Sequence, residues 1–156
     1  AQLDHASFAL KTCKKPSFKL KTPEHWYLNH KFNYPGRVEW EPIEITFASI
    51  TDPNVAGVLH KLFVDAGYVY PTGPEGSFDR TKSISKSSAV SQLGNLALKQ
   101  IDSQGNPTEI WTLKNPFLTD VNFGDLTYED EKIVEVKCTI IYDSATLDVT
   151  PAVSTL

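Results

Sequence analysis

Four histidines and two cysteines are the side chains of this 156-residue sequence best suited to bind a metal ion or act as nucleophiles. The histidines are His5, His25, His30 and His60. None has a partner at the spacing that a metal site needs, and His25 and His30 are expected on opposite faces of an extended segment. Cys13 and Cys138 lack a CxxC motif, so we expect two reduced thiols, with Cys138 packed in the core. No metal site is predicted.

The sequence also lacks the motifs of common catalytic sites. It contains no GxSxG, HExxH or dinucleotide-binding glycine pattern, and residues 73–76 lack the Lys-Ser/Thr pair that a phosphate-binding loop requires. The acidic run Glu129-Asp130-Glu131 lacks the alternating ligands and glycine of a calcium loop, and we interpret it as a solvated turn. These absences favour a binding, structural or assembly role, without a cofactor, over an enzyme.

Composition bounds the remaining classes of protein. We expect one domain over residues 1–145, followed by a polar, surface-bound or frayed tail over residues 146–156. The net charge of −4 and the pI near 5.5 argue against a dedicated nucleic-acid binder. No apolar run of about 18 residues predicts a membrane span, and no signal-peptide pattern opens the sequence.

The charges are distributed unevenly along the chain. Residues 1–40 carry seven basic side chains against three acidic ones, whereas residues 119–148 carry eight acidic side chains against two lysines. Two interpretations remain open. The charges either form two solvated faces of a monomer, or they form complementary surfaces that orient copies of the chain in self-association.

Three segments show the alternation of strands. From Lys132 to Tyr142 every second residue is apolar or cysteine, which predicts one buried face. A shorter strand over 109–113 precedes it, separated by a long, turn-rich connection that starts at Asn115-Pro116. From Val38 to Ala48 the alternation changes phase at Glu41-Pro42, which predicts a β-bulge or a strand that passes between two sheets.

One helix and one long loop interrupt the strands. The helix is predicted over about residues 53–66, with Asp52 as N-cap, a single apolar stripe, and Gly67 as its stop. It is expected to cover a sheet face or to pack against a neighbouring subunit. Residues 70–88 are basic and rich in Gly, Pro and Ser, and they are interpreted as a flexible or binding loop. A strand interrupted at Gly94-Asn95 follows over 89–102.

Taken together, six to eight strands and one helix predict a mainly β sandwich or barrel. The segment from Glu24 to Tyr34 is unusually aromatic, with Trp26, Tyr27 and Tyr34 among its residues. Aromatic side chains on an extended segment either pack in the core or on the face of a sheet, or they anchor an interface between proteins. The sequence leaves both alternatives open.

The closing segment of the chain resembles the tail-tube proteins of contractile-tailed bacteriophages. The matching positions are Leu113, Asn115, Val121, Phe123, Gly124, Leu126, Tyr128, Ile133, Thr139 and Tyr142. The stretch from Gly36 to Phe47 and the helix from Asp52 to Gly67 match as well, so the resemblance covers about residues 5–145. Family members carry a further strand-forming segment before the position of Phe8. This sequence begins too late to contain it, so we expect either an abbreviated start or a divergent tube-like protein such as a baseplate tube initiator.

The resemblance implies two packed antiparallel sheets that form a β-barrel or sandwich with one flanking helix. It further implies six-membered rings that stack into a hollow tube in the virion tail, assembled in the host cytoplasm. Sheath, baseplate and terminator proteins are the implied partners, and viral DNA is expected to pass through without specific binding. The candidate inter-ring residues are Phe78, Arg80, Lys82 and Lys86. The candidate inter-subunit residues are Trp26, Tyr27, Tyr34, Glu129, Asp130 and Glu131.

Two other functions remain open on the sequence. The secreted tube of a type VI-like injection machine shares the fold implied by the resemblance. A monomeric carbohydrate-binding β-sandwich would instead use Trp26, Tyr27 and Tyr34 as a platform on which a sugar stacks.

Overall fold

A computed structural model describes residue 7 and residues 9–50, 54–70, 83–126 and 133–149. These ranges contain eleven strands and two short helices, which confirms the prediction of a mainly β protein. The strands are β1 (Leu10–Cys13), β2 (Phe18–Leu20), β3 (Glu24–Tyr27), β4 (His30–Asn33), β5 (Val38–Trp40), β6 (Ile43–Ala48), β7 (Leu96–Ile101), β8 (Pro107–Lys114), β9 (Phe117–Asn122), β10 (Glu135–Ile141) and β11 (Ser144–Val149). The helices are α1 (Val55–Asp65) and α2 (Lys86–Leu93).

The described strands pair antiparallel throughout. A four-stranded sheet has the order β1-β6-β10-β9, and a three-stranded sheet has the order β11-β8-β7. Both sheets contribute to one hydrophobic core, together with the two helices. The prediction of packed antiparallel sheets is therefore confirmed. Within the ranges given above, however, no strand pairing closes the sheets into a barrel.

The centre of the core is formed by β6 and β10, which pair directly. In β6, Ile43, Ile45 and Phe47 are buried and alternate with more exposed residues. In β10, Val136 and Cys138 are buried in the same way, as the sequence predicted. Because side chains alternate between the faces of a strand, this pattern fixes which face each strand turns inward.

The phase change at Glu41-Pro42 marks a passage between two sheets. Strand β5, before it, pairs with β2, whereas β6, after it, pairs with β1 and β10. Proline has no N–H to donate to a ladder, so Pro42 suits the point at which pairing on both sides stops. Of the two predicted alternatives, the strand that passes between sheets is confirmed.

Helix α1 confirms the predicted helix, with its N-cap corrected. The Asn54 side chain caps it by accepting a hydrogen bond from the Gly57 N–H at 2.9 Å. Asp52 and Pro53, predicted to start the helix, lie outside the described residues. The predicted stop is confirmed, because Gly67 has a φ of +115°, which L side chains rarely adopt.

Helix α2 is a correction to the predicted loop over 70–88 and to the strand predicted to start at residue 89. Its N-cap is Ser85, whose hydroxyl accepts a hydrogen bond from the Ser88 N–H at 3.1 Å. The apolar periodicity of this serine-rich segment is weak, and Leu93 is the one buried residue of α2. The local sequence pattern therefore does not predict this helix, which packs against α1 and β9.

Two edge strands were also not predicted from the sequence. Strand β9 lies in the connection interpreted as turn-rich, and β11 covers the start of the predicted tail. Asn115, with a φ of +51°, turns the chain between β8 and β9. Its side-chain amide donates to the Asp143 carboxylate at 2.8 Å, and this contact joins that turn to the turn between β10 and β11. Apolar and polar residues alternate only weakly in both strands. Each strand is instead paired with a neighbouring strand, and β-propensity depends strongly on such context.

Residues 18–40 form a bent hairpin that we name the arm. Its ladder runs from β2–β5 to β3–β4, and between them the Lys21 N–H donates to the Arg37 carbonyl at 2.9 Å. At the bend, a Cβ on Gly36 would lie 2.4 Å from the Lys21 carbonyl oxygen, so this position requires glycine. At the base of the arm, the Trp40 ring packs on the rings of Phe18 and Tyr142, with centroids 5.3 and 5.8 Å away.

Candidate assembly surfaces

The arm exposes an unusual amount of apolar surface. Every residue of β3 and β4 is exposed, and Trp26, Tyr27 and Tyr34 are 61%, 64% and 54% exposed. The interpretation of these aromatic residues as core residues is therefore wrong for the single chain. Exposed patches of this kind mark sites of interaction between proteins. The assignment of these three residues to contacts between subunits stays a prediction.

The register of β3–β4 sorts the arm's side chains onto two faces. One face carries the pairs His25–Phe32 and Tyr27–His30, and the other carries Trp26–Lys31. His25 and His30 thus share a face, which corrects the prediction that they point in opposite directions. A turn reverses the chain between them, so the alternation of side chains along a single unbroken strand does not apply to this pair. Among the described residues there is no group of three metal-ligating side chains.

The tip of the arm carries a strained leucine. Leu28 follows β3, has a φ of +50°, and is 83% exposed. The first position of a tight two-residue hairpin turn with positive φ strongly favours glycine. A large apolar residue here costs conformational free energy and gains no burial within the chain. Leu28 was not predicted as an exposed residue from the sequence. A leucine between two short aromatic segments could have indicated it.

A concave apolar surface lies between α1, α2 and β9, and we name it the groove. Its volume is about 490 Å³. Most of its lining is apolar, and the residues that line it include Phe63, Tyr68, Tyr70, Ala89 and Gln92. Tyr68 packs between Phe63 and Tyr70, with ring centroids 4.5 and 5.1 Å away, and the Tyr70 hydroxyl hydrogen-bonds His60 Nε2. The groove was not predicted from the sequence, because α2, which forms one of its walls, was itself not predicted.

The four-stranded sheet turns a polar face away from the core. Two rows of polar pairs cross this face, Thr12–Thr46–Lys137–Asn122 and Glu44–Thr139–Asp120, next to the apolar pair Phe117–Ile141. The sheet ends in the edge strands β1 and β9, each of which has one partner strand in the described part of the chain. An edge strand carries unpaired N–H and C=O groups that can pair with another chain.

Lysines of the basic first part of the chain form ion pairs within the subunit. Lys11 pairs with Glu135, Lys15 with Glu109 at 2.7 Å, and Lys21 with Glu39. The pair of Lys11 and Glu135 joins the basic early segment to the acidic late segment inside one molecule. This arrangement supports the interpretation of solvated faces for the lysines concerned, rather than a free basic patch.

Glu41 is the centre of a charge cluster at the base of the arm. It pairs with Lys19 and with Lys14, at 3.5 Å for the latter, and it accepts a hydrogen bond from the Ser17 hydroxyl at 2.9 Å. The hydrogen bond from Lys19, followed by that from Ser17, lowers the pKa of Glu41 to about 2. The ionised carboxylate therefore stabilises the connection between the arm and the core sheet.

Of the four predicted inter-ring residues, only Lys86 lies in the described ranges. It is the first residue of α2 and pairs with the Asp143 carboxylate at 2.7 Å. This ion pair, followed by the hydrogen bond from Asn115, lowers the pKa of Asp143. Phe78, Arg80, Lys82 and the run Glu129-Asp130-Glu131 lie outside the described residues. The roles predicted for all of them stay predictions.

No helix in the described ranges is both long enough and apolar enough to cross a membrane. No protein-family model matches the sequence, and no curated protein sequence is significantly similar to it.

Solved structures, in contrast, share the fold at low sequence identity. A chain of the anti-feeding prophage baseplate, a structure with six-fold symmetry imposed, superposes with a TM-score of 0.63 at 10% identity, over 90% of this chain and 81% of that chain. A chain of the sheath–tube complex of the PVC extracellular contractile injection system gives 0.57 at 13% identity, over 90% and 81%. A chain of the tube-terminating cap of the anti-feeding prophage gives 0.57 at 12%, over 90% and 80%.

Each of these superpositions covers 90% of this chain. They confirm, at the level of the fold, the resemblance inferred from the closing segment. The chain therefore shares its fold with chains found in contractile injection assemblies.

Proposed function

We propose that this protein is a structural, non-catalytic tube subunit of a contractile tail or injection machine. Copies form rings, and the rings stack into a hollow tube. The observation that carries this proposal is the four-stranded sheet, with an apolar inner face, a polar outer face and two edge strands. Pairing β9 of one copy with β1 of the next would continue the sheet from copy to copy and remove both edges.

In such a ring the polar face of the sheet lines the lumen. The two rows that cross it contain Lys137 as their one cation, against the carboxylates of Glu44 and Asp120. Retention of nucleic acid depends on cations that bind its phosphates. A lumen with this composition would let viral DNA pass without specific binding. The same surface would suit a polypeptide cargo, so it fits a phage tail and a secreted, type VI-like tube equally well.

The proposed stoichiometry is six copies per ring, supported by the six-fold symmetry of the baseplate structure that shares this fold. Sheath, baseplate and terminator proteins are the proposed partners, and the virion tail is the proposed location. We further propose that the segment with Phe78, Arg80 and Lys82 contacts the next ring, on the basis of its sequence. A baseplate tube initiator is the second candidate, favoured by the baseplate match.

The sugar-binding alternative is not supported by the arm. Trp26 and Tyr27 are adjacent residues of β3, so they point to opposite faces of the hairpin and cannot form one flat platform. Lys31 lies over the Trp26 ring, 5.9 Å from its centroid, and occupies part of the surface on which a sugar would stack.

Electron microscopy of the purified full chain, together with its mass in solution, tests the proposal. Rings or hollow tubes of uniform width are expected, with the mass of the smallest closed species giving the number of copies. A tube initiator would give single rings that do not elongate. A monomer at every concentration, also in the presence of sheath and baseplate proteins from the same assembly, would contradict the proposal.

A further inference from the structure

Each edge of the four-stranded sheet carries a β-bulge. In β1 the pairing with β6 shifts between Leu10 and Thr12, so Lys11 is the extra residue. In β9 the pairing with β10 shifts in the same way, and Thr119 is the extra residue. The central strands β6 and β10 pair without a shift over residues 135–140. Within this sheet, the bulges therefore lie on the two strands whose outer edges the proposed ring uses.

Two backbone hydrogen bonds fix the direction in which the groups of each strand point. The Lys14 N–H donates to the Glu44 carbonyl at 3.0 Å, and the Ser49 N–H donates to the Val134 carbonyl at 2.8 Å. In an antiparallel ladder, successive residues direct their N–H and C=O groups to alternate sides. The even-numbered residues of β6 therefore direct theirs to β1, and the odd-numbered residues direct theirs to β10.

Two residues on each edge strand point their backbone groups away from the sheet. Carried through the register of β10, the alternation makes Val121 the outward residue of β9, and it makes Cys13 that of β1. Beyond each bulge, Leu10 and Leu118 are opposite residues that belong to the β6–β10 ladder, so they point outward as well. Both edges thus present outward groups three residues apart, whereas an uninterrupted strand presents them two apart.

We propose that the two bulges face each other where one copy of the chain joins the next. In this register, Val121 of β9 lies opposite Leu10 of the neighbouring copy, and Leu118 lies opposite Cys13 of the same neighbour. The proposal rests on the proposed function, because it gives the register of the β9–β1 contact in the ring. Both outward positions then have a partner. Straight continuation of the rows would put only Val121 opposite an outward residue, Cys13.

The direction and the faces of the strands agree with this register. Because β9 runs antiparallel to β1, two copies related by rotation in a ring join in an antiparallel ladder. Each of the four outward residues pairs within its own copy with a buried residue, so all four side chains lie on the core side of the sheet. The offset from straight rows supplies the stagger that closure of a barrel requires. The match is one of backbone groups, since the Lys11 side chain is already paired with Glu135.

Removal of the bulges tests the match, because single and double deletions have opposite expected results. A chain that lacks Thr119 presents the outward groups of β9 two residues apart, while those of β1 remain three apart. Its ring formation should fall about tenfold or more, because ladder hydrogen bonds between copies are lost. A chain that lacks Lys11 has the reverse mismatch and the same expected loss. Deletion of both residues restores equal spacing, so sedimentation velocity should show that rings form again.

Two control variants separate this effect from damage to the fold. The first lacks Thr108, the extra residue of the bulge between β7 and β8, which alters no edge of the four-stranded sheet. The Thr108 and Thr119 hydroxyls each donate to a backbone carbonyl at 3.2 Å, so the two deletions remove similar bonds. The second control, Lys11→Ala, keeps the bulge and removes the ion pair. Both controls should form rings as the unmodified chain does.

Site-specific crosslinking reads the register directly. Thr12→Cys, Thr119→Cys and Asn122→Cys variants are prepared separately in a Cys13→Ser background, where the remaining Cys138 is buried. Facing bulges place position 12 of one copy opposite position 119 of the next. Mild oxidation of mixed variants should therefore give a disulfide-linked dimer of Thr12→Cys with Thr119→Cys. Straight rows would instead join Thr12→Cys to Asn122→Cys.

The outcomes separate the register from the tube itself. Undiminished ring formation after a single deletion, or a folded double deletion that assembles no better than the single ones, overturns the facing bulges and leaves the tube proposal intact. Rings in which Thr12→Cys couples to Asn122→Cys, or to neither variant, do the same. The crosslink alone decides if a shortened chain does not fold, as judged by its thermal midpoint. Failure of the unmodified chain to form rings, also with sheath and baseplate proteins present, overturns the proposed function and the register with it.

Discussion

Strands β6 and β3 both carry large apolar side chains, and the chain uses them in opposite ways. In β6, Ile43, Ile45 and Phe47 are no more than 4% exposed, whereas in β3, Trp26 and Tyr27 are more than 60% exposed. The β6 side chains stabilise the fold of one subunit through burial. The β3 side chains gain little within the subunit. The comparison teaches that burial in the core sheet accounts for the folding of the chain, and that the exposed aromatic side chains of the arm contribute little to it.

The largest effect is expected in the core sheet. Ile140→Ala in β10 should lower the free energy of unfolding by about 2–5 kcal/mol, because it leaves a cavity at a fully buried position. The matched control is Ile141→Ala, which alters the next residue on the exposed face of the same strand and should cost far less. Urea titration of the dissociated chains measures both. Equal losses would contradict the assignment of the two faces.

The reverse pattern is expected in the arm. Trp26→Ala should change the free energy of unfolding by no more than about 0.5 kcal/mol, as is usual at exposed sites. If this side chain is a contact between copies, the same variant should weaken association by about tenfold or more. Denaturation and sedimentation velocity on the same sample separate the two quantities. A large loss of stability with normal association would mean that the arm belongs to the core after all.

A smaller effect is expected at the bend of the arm. Gly36→Ala places a Cβ against the Lys21 carbonyl and should destabilise the hairpin locally by about 1–3 kcal/mol. Faster hydrogen exchange is expected at the amides of Lys21 and Tyr34, with unchanged exchange in β6 and β10. Arg37→Ala, at the next residue, keeps the backbone hydrogen bonds and serves as the control. Equally faster exchange in β6 and β10 would show instead that the arm and the core unfold together.

The smallest effect concerns pH. The folded-state pKa of Glu41, about 2, is below its ordinary value of 4.5, so the ionised form stabilises the fold. That stabilisation is complete above pH 4.5 and is lost as the pH falls from 4.5 towards 2. Unfolding midpoints of Glu41→Gln should therefore fall less steeply across this window than those of the unmodified chain. Parallel curves would show that Glu41 does not contribute, and the partially exposed site makes the difference small.

The sequence predicted those parts of the fold in which local pattern and tertiary position agree. The alternation in β10, the phase change at Glu41-Pro42 and the stripe of α1 each follow from burial of one face, and the structure confirms them. Helix α2 and strands β9 and β11 have weak local sequence patterns, and each is held in place by contacts with other elements of the fold. The groove was unpredictable for that reason. The aromatic residues of the arm were identified from the sequence, but their exposure was not predicted. Exposure depends on which elements surround a strand, and the alternation of residues along one strand does not give this information.

The passage at Glu41-Pro42 also has a mechanical consequence. Because only Glu41 and Pro42 separate β5 from β6, a pull on the arm reaches β6 first, and β6 is hydrogen-bonded on both sides to β1 and β10. Ladder bonds run across a strand, so a pull along β6 loads them in shear and they share the force. If the force were applied across the sheet, the bonds would instead break one after another. The arm is thereby joined to a strand that is paired on both sides.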